Sequence, residues 1–211
     1  MLYFWRDVHA MALGCFGLLT GRRDDKTKLV ILIVVATIPV IVAGFLVNDH
    51  MESTRDVRLI GWTTLVFGLV LYVADRFGGT NRGIDHIRKR DAVMIGLAQM
   101  LALVPGISRS GVTMNAARAL GIARPDAARF ALLMSIPTLI AAGALQGYTL
   151  HQRSDTVVME AALMGVALSF VTALAAIALM MAWLRRATFK PFVIYRVILG
   201  VILLAIGYGL V

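Results

Sequence analysis

The sequence predicts an all-α polytopic membrane protein in which transmembrane helices accompany a re-entrant helix–loop–helix hairpin. Of the 211 residues, 59% are apolar and 16% are charged, with a mean hydropathy of +0.81, which is far from the composition of a soluble domain. Several uncharged runs approach or reach the roughly 20 residues that a helix needs to cross the hydrocarbon core. Most cations lie between these runs, and one run has helix breakers at its centre.

The apolar runs predict a single integral membrane domain over residues 1–211. Residues 1–19 are predicted to be the end of a span that leads into a basic loop. Five later runs are predicted as complete spans, and one between them as the hairpin. The spans are 29–47, 57–75, 127–150, 157–184 and 191–211, and the hairpin is 92–121 with its loop at 105–113.

The positive charges predict the orientation of the spans. Loops 20–28, 76–90 and 185–190 carry twelve Lys and Arg residues, whereas loops 48–58 and 149–157 carry three. Because cytoplasmic loops are enriched in Lys and Arg, we place the first set in the cytoplasm. The net charge of +9 is therefore a topology signal, and no nucleic-acid partner is predicted.

The run 91–121 is apolar, yet both of its ends are predicted to face the cytoplasm. Arg90 precedes it and Arg124 follows it, and the flanking spans place both on the same side. Pro105 and Gly106 interrupt the run at its middle. Such a run is typical of a re-entrant hairpin, whose loop needs protein or a watery cavity around it. The alternative is an amphipathic pair of helices lying on the cytoplasmic surface.

The predicted tip of the hairpin, residues 105–113, combines one cation, three hydroxyls and two glycines. No acid lies between Asp91 and Asp126 to neutralise Arg109, so its partner is expected to be a ligand anion. The guanidinium can present two parallel donors to phosphate oxygens, and Gly111 lets the backbone approach closely. The hydroxyls that can add donors are those of Ser108, Ser110 and Thr113.

A second half-helix is expected to begin near Val112. Its unpaired N–H groups and the positive end of its dipole would then point at the anion. The structural alternative is a capped hairpin, with Ser110 or Thr113 as the N-cap and Arg109 reaching to the interface.

The string Pro-Gly-Ile-Ser-Arg-Ser-Gly-Val-Thr at 105–113 resembles the P-G-x-S-R-S-x-x-T motif of the undecaprenyl-diphosphate phosphatases, the bacitracin-resistance family. The strings at 96–103, 130–137 and 191–196 also resemble that family, so the resemblance covers essentially the whole chain. It implies an undecaprenyl-diphosphatase, a phosphoric anhydride hydrolase that recycles the lipid carrier of peptidoglycan synthesis and confers bacitracin resistance.

The resemblance also implies the site residues. Catalytic roles are expected for Ser108, Arg109 and Thr113. Gln99 is expected to line the cavity, and Arg196 to help hold the lipid's phosphate; interhelical hydrogen bonding and snorkelling toward Lys190 are the structural alternatives. The expected phosphate-binding residues are Gly106, Ser110, Gly111, Gln99 and Arg196.

The family's other signature is an earlier hairpin of the form E-G-x-x-E-x-x-P-x-S-S-x-x-H, whose glutamates and histidine are held to serve catalysis and metal binding. The only glutamates here are Glu52 and Glu160, and neither lies in such a motif. We therefore expect the front catalytic hairpin to be missing, and a divalent cation, Mg or Ca, to have its ligands there rather than in this chain. On its own, the chain is expected to bind a phosphorylated polyprenol without hydrolysing it. The residues interpreted as solvated parts of outer loops are Glu52, Asp56, His50 and His151.

The predicted partners are a polyprenyl diphosphate lipid and the bilayer of the bacterial inner membrane, and a homodimer is left open. The alternative function is a transporter or flippase for an anionic lipid or small anion, since half-helices whose N-termini face an anion also occur in transporters. Release of phosphate distinguishes the phosphatase from the transporter. The acid-phosphatase-like lipid phosphatases are set aside, because they need a histidine shortly after the Ser-Arg pair and position 115 is Asn.

Overall fold

A computed structural model of the protein describes residues 2–21, 24–47, 56–79, 82–152 and 156–210. Over these ranges the chain is helical, and the only β feature is an isolated bridge between Arg82 and Ile122. The predicted all-α class is therefore confirmed. The α-helices are α1 (Trp5–Leu19), α2 (Asp25–Val47), α3 (Val57–Phe77), α4 (Lys89–Met100), α5 (Arg109–Ala119), α6 (Arg124–Gln152), α7 (Thr156–Leu184) and α8 (Lys190–Gly207).

Four helices among the described residues are long and apolar enough to cross a membrane. Each overlaps a segment predicted as a span, and the fifth predicted span, 127–150, lies within α6. Some bounds differ: α2 begins at Asp25 rather than 29, because the carboxylate of Asp24 accepts a hydrogen bond of 2.8 Å from the N–H of Thr27. The candidate spans are Asp25–Leu46, Val57–Phe77, Met164–Leu184 and Lys190–Gly207.

Helices α4 and α5 form a helix–loop–helix inside the bundle. They pack against each other, and α4 also packs on α2 while α5 packs on α3 and α6. At 1.5 Å per residue each is about 16–18 Å long, roughly half of the ~30 Å hydrocarbon core. The hairpin shape therefore matches the sequence prediction, and its re-entry from the cytoplasmic side stays a prediction.

Helix α8 lies unusually close to α3 because glycines line their contact. A Cβ built on Gly68 would lie 3.0 Å from Cβ of Arg196, and one built on Gly200 would lie 2.8 Å from Cβ of Leu65. Small residues let two helices approach in this way. The contact places Arg196 beside the tip of the hairpin.

The opposite end of the hairpin is held by the carboxylate of Asp75, at the end of α3. Its Oδ1 accepts from Nε of Arg118 at 3.1 Å and from Nε of Arg124 at 2.6 Å, and its Oδ2 accepts from the N–H of Phe189 at 3.2 Å. One carboxylate thus joins the end of α3 to α5, α6 and the start of α8.

Arg118 is fully buried at this junction, and all five of its N–H groups have acceptors. Besides Asp75 Oδ1, these are backbone carbonyls at 2.6–3.2 Å. Interhelical bonding therefore accounts for this arginine, and it has no donor left for a ligand. The carbonyls belong to Asp75, Gly78, Gly79 and Ile122.

Candidate phosphate-binding site

The tip of the hairpin is held against α3 by a turn that only glycine suits. Gly106 has φ +87°, and a Cβ there would overlap Oγ1 of Thr63 and lie 2.8 Å from the carbonyl oxygen of Ile60. Oγ1 of Thr63 lies 2.8 Å from the carbonyl oxygen of Pro105 and equally close to that of Leu59 in its own helix, and Oγ1 of Thr64 lies 3.3 Å from the carbonyl oxygen of Gly106. The sequence did not predict a role for these two threonines, because the sequence of an apolar helix does not show which of its hydroxyl groups contact a loop that is distant in the chain.

Helix α5 begins at Arg109, so the expected start near Val112 is wrong. Ser108 is the N-cap: its backbone is extended, and its Oγ accepts from the N–H of Gly111 at 3.2 Å. The capping alternatives at Ser110 and Thr113 are wrong for the same reason. Ser110 and Gly111 consequently lie in the first turn, where the dipole is positive; the N–H of Gly111 is bonded to the cap, whereas the N–H groups of Arg109 and Ser110 have no acceptor within the helix.

Arg196 of α8 reaches this helix start. Its Nε lies 3.3 Å from the carbonyl of Thr64 and its Nη2 lies 3.2 Å from that of Gly106. A Cβ on Gly111 would lie 2.9 Å from its Nη1, so this glycine makes room for the guanidinium. Within the described part of the chain no carboxylate pairs with Arg196, which turns to the tip rather than toward Lys190.

A cavity of about 480 Å³ opens between α3, α5, α7 and α8 at this point. Ser108, Ser110, Gly111 and Arg196 all line it, and the two hydroxyl oxygens lie 3.4 Å apart. The structure therefore brings together four of the predicted site residues, and Gly106 lines the same cavity. Two hydroxyls, one half-buried cation and free helix N–H groups are the donors that an oxyanion needs.

Arg109 does not line this cavity, although it begins the same helix. Its exposed side chain turns to α6, where Nη1 donates to Oγ1 of Thr138. The Thr138 hydroxyl in turn donates to the carbonyl of Ser135 at 2.8 Å, which leaves its oxygen free to accept from the arginine. The guanidinium thus lies near the tip, held by a neutral partner that an anion can replace.

Thr113 and Gln99 are placed differently from the predicted site. Thr113 is 1% exposed, and its Oγ1 lies 3.0 Å from the carbonyls of Arg109 and Ser110, so its single donor is used within α5. Gln99 of α4 is fully buried, and neither of its amide atoms has a partner among the described residues. Neither side chain lines the cavity.

The described residues do not supply a ligand set for the divalent cation that the resemblance implies. They contain no group of three or more His, Cys, Asp or Glu side chains that could hold a metal ion. Asp56 caps α3, where its Oδ1 accepts from the N–H of Arg58 at 2.9 Å. His50 and Glu52 lie outside the described residues.

Comparison with known proteins gives consistent matches over nearly the whole chain. The family described as bacitracin resistance protein BacA matches residues 1–202. An undecaprenyl-diphosphatase of Jannaschia sp. (strain CCS1) is 52% identical over 99% of this chain and 79% of its own length. One of Ruegeria sp. (strain TM1040) is 50% identical over the same shares. Undecaprenyl-diphosphatase 1 of Rhodospirillum rubrum is 47% identical over 98% of this chain and 74% of its own.

Proposed function

Since this chain belongs to the bacitracin resistance protein BacA family, we propose that it serves the undecaprenyl-diphosphatase reaction. The reaction removes the terminal phosphate of undecaprenyl diphosphate, giving the undecaprenyl phosphate that carries peptidoglycan precursors, and so confers bacitracin resistance. In this proposal the described residues supply the phosphate-binding part of the site.

One observation carries this assignment: Arg196, without a carboxylate partner in the described residues, meets the capped start of α5 in one cavity. The diphosphate would accept from the guanidinium of Arg196, from the first-turn N–H groups and from the hydroxyls of Ser108 and Ser110. Arg109 would leave Thr138 and bind the same anion from the other side of the helix start.

Thr113 has a different role in this proposal from the one expected from the sequence. Its hydroxyl is bonded to the carbonyls of Arg109 and Ser110. It therefore acts as a positioning residue, which holds the first turn of α5 in shape. Ser108 is proposed to contact the phosphate directly, because this residue lines the cavity.

The divalent cation, Mg or Ca, is also part of the proposal. When bound, such an ion stabilises the charge that develops on the phosphate oxygens during displacement. Because the described residues do not form its ligand set, their own part in the reaction is to bind and orient the anion.

The proposed location is the bacterial inner membrane, with the loops rich in Lys and Arg facing the cytoplasm. The homodimer stays a prediction, which the mass of the protein in detergent would test. The transporter alternative has no support from the three relatives, since all of them are undecaprenyl-diphosphatases.

The proposal is tested by measuring how undecaprenyl diphosphate binds to the purified chain in lipid nanodiscs. Arg196→Gln should weaken binding about tenfold or more, because a hydrogen bond to a charged group is worth about 1.5–3 kcal/mol. Arg58→Gln is the matched control, since Arg58 bonds to the carbonyl of Gly207 at the other end of the α3–α8 pair. Equal binding by Arg196→Gln and the unchanged protein contradicts the proposal. Movement of labelled lipid across the bilayer without phosphate release would favour the transporter.

A further inference from the structure

A second cavity, of about 1000 Å³, lies at the other end of the hairpin, where α4 begins. It is bordered by the end of α1, the start of α2 and the segment 82–89, and it shares no lining residue with the cavity at the hairpin tip. Its charged part belongs to the loops 20–28 and 76–90, which are predicted to face the cytoplasm. The proposed diphosphatase reaction does not use it.

Three exposed cations line this cavity without a carboxylate partner among the described residues. A fourth, Arg82, is paired with Asp91. Three aspartates lie in the same lining, but loops 20–28 and 76–90 carry nine Lys and Arg residues against these three acids. The surroundings of the cavity are therefore strongly positive, which favours an anionic ligand. The three cations are Lys28, Arg88 and Lys89.

Two helix starts and one buried hydroxyl add donors to these cations. Helix α2 begins at Asp25 and α4 at Lys89, so the positive ends of both helix dipoles lie at the cavity. Nζ of Lys28 donates to the carbonyl of Asp85 at 2.7 Å, which links α2 to the segment that leads into α4. Thr27 also lines the cavity; it is 2% exposed, and its Oγ1 has no hydrogen-bond partner among the described residues. Because a buried hydroxyl without a partner is costly, an acceptor oxygen from a ligand would stabilise it.

The lining of the cavity becomes apolar along α2. Ile31 and Leu32 follow Lys28 by about one turn, toward the middle of the predicted span, and both line the cavity. Leu18, in the last turn of α1, also lines it and is 43% exposed. Charged donors followed by apolar side chains at the end of a membrane span suit an amphiphile that lies in the bilayer, with its head at the donors.

We propose that this cavity binds the phosphate head group of an anionic phospholipid of the cytoplasmic leaflet. The inference goes beyond the proposed function, since it concerns a second site and a lipid that is not the substrate. Basic pockets between membrane helices on the cytoplasmic side bind phosphate head groups of lipids. A soluble phosphate could use the same donors, but it would leave the apolar part of the cavity unfilled, so we assign the lipid.

The test measures the affinity of the purified chain in detergent for its first bound lipid, by native mass spectrometry, with phosphatidylglycerol and with phosphatidylcholine. The unchanged protein should bind phosphatidylglycerol at least tenfold more tightly, because each Lys or Arg near an anionic head group is worth about fivefold in affinity. Arg88→Gln together with Lys89→Gln should remove this preference. Arg185→Gln together with Arg186→Gln should keep it, since these exposed cations lie on the same predicted side but outside the cavity.

A single change keeps the test decisive if the double variant does not insert into the membrane. Lys28→Gln should lower the preference about fivefold, whereas Lys190→Gln, at an exposed cation that begins α8, should not. Equal losses from cavity and control cations would show only a diffuse attraction of the basic surface and would overturn the site, as would an unchanged protein without the preference.

A soluble head group separates the two sources of phosphate. Glycerophosphoglycerol, the head of phosphatidylglycerol without its acyl chains, should bind at least about tenfold more weakly than the lipid, because each buried methylene is worth about fourfold in affinity. Equal affinity of the two would overturn the assignment to a lipid. None of these measurements depends on phosphate release, so their outcome leaves the proposed function untouched.

Discussion

At the scale of single residues, the structure distinguishes three arginines of the hairpin and its surroundings, two at its tip and one at its base. Arg118 is buried with all five donors used, so it is structural. Arg196 contacts only backbone carbonyls, and Arg109 contacts a threonine hydroxyl. Because a cation without a carboxylate is costly in an apolar setting, the last two are the ones suited to an anionic ligand.

Lysine should not replace Arg109. A single ammonium cannot reproduce two parallel donors on a planar head, so Arg109→Lys should bind undecaprenyl diphosphate about tenfold more weakly. Affinity in nanodiscs measures this, with the exposed Arg76→Lys in the last turn of α3 as the control. Unchanged affinity would mean that Arg109 only contacts Thr138.

Gly106 should tolerate no side chain. Alanine would carry the strain of φ +87°, about 1–2 kcal/mol, and would also collide with Thr63 and the carbonyl of Ile60. Gly106→Ala should therefore lower both thermal stability and diphosphate binding. Gly121→Ala is the control: it has φ +80°, but the nearest neighbour of its Cβ is Cδ of Arg82 at 3.9 Å, so it should lose stability alone. Equal effects of the two would remove the argument for a steric contact with α3.

At the scale of elements, the hairpin is fixed at both ends by other helices. The tip is held by hydroxyls of α3 and by Arg196 of α8, and the base by the carboxylate of Asp75. The donors at the start of α5 are therefore preorganised, since the helix cannot shift without breaking contacts at both ends.

Asp75→Asn should be strongly destabilising. It leaves Arg118, which is fully buried, without a compensating charge, and breaking such a pair costs about 3–5 kcal/mol. Thermal unfolding in detergent would show this loss. Asp7→Asn, which breaks the pair with the partly exposed Arg129, should cost clearly less. A loss at Asp75 no larger than at Asp7 would contradict its role in joining the four helices.

The two ends of the hairpin should be accessible from one side of the membrane. Single cysteines at Lys89 and Ala119, exposed positions at the outer ends of α4 and α5, are placed in a Cys15→Ala background. Both should react with an impermeant maleimide only from the cytoplasmic side. Labelling from opposite sides would show that the segment crosses the membrane, and labelling at the tip from the cytoplasm would favour the surface-lying pair.

At the scale of the whole molecule, the described residues bring hydroxyl, N–H and guanidinium donors to one cavity, and they contain no metal-ligand cluster. Binding and chemistry should therefore depend differently on the metal. Arginine, hydroxyl and N–H donors need no cation to hold a diphosphate, whereas phosphoryl transfer depends on charge stabilisation that a divalent ion supplies.

EDTA should leave the affinity of the 211-residue chain for undecaprenyl diphosphate within about twofold. Any phosphate release in the same nanodiscs should require Mg or Ca. The purified protein is assayed before and after chelation, with the metal restored as the control. Loss of binding on chelation would show that metal ligands lie within this chain.

The sequence by itself determined the membrane class, the positions of the helices and the motif at 105–113. These depend on hydropathy, on helix breakers and on a contiguous string, all of which are local properties of the chain. The start of α5 is also local, yet it was placed three residues late, because several hydroxyls in a row can each serve as an N-cap and only the backbone conformation selects Ser108.

Only the tertiary structure decided which side chains share the cavity. Arg196 meets Gly106 across 90 positions of sequence, and Thr63 meets Pro105 across 42. Periodicity cannot show such pairs, because the α3–α8 contact depends on how glycines at several places let two helices approach. In the same packing every donor of Arg118 is used, whereas Arg196 contacts two backbone carbonyls and has no carboxylate partner among the described residues. In the sequence, Arg118 and Arg196 both appear only as arginines within predicted membrane segments. They differ in the hydrogen-bond acceptors that neighbouring helices place around each guanidinium.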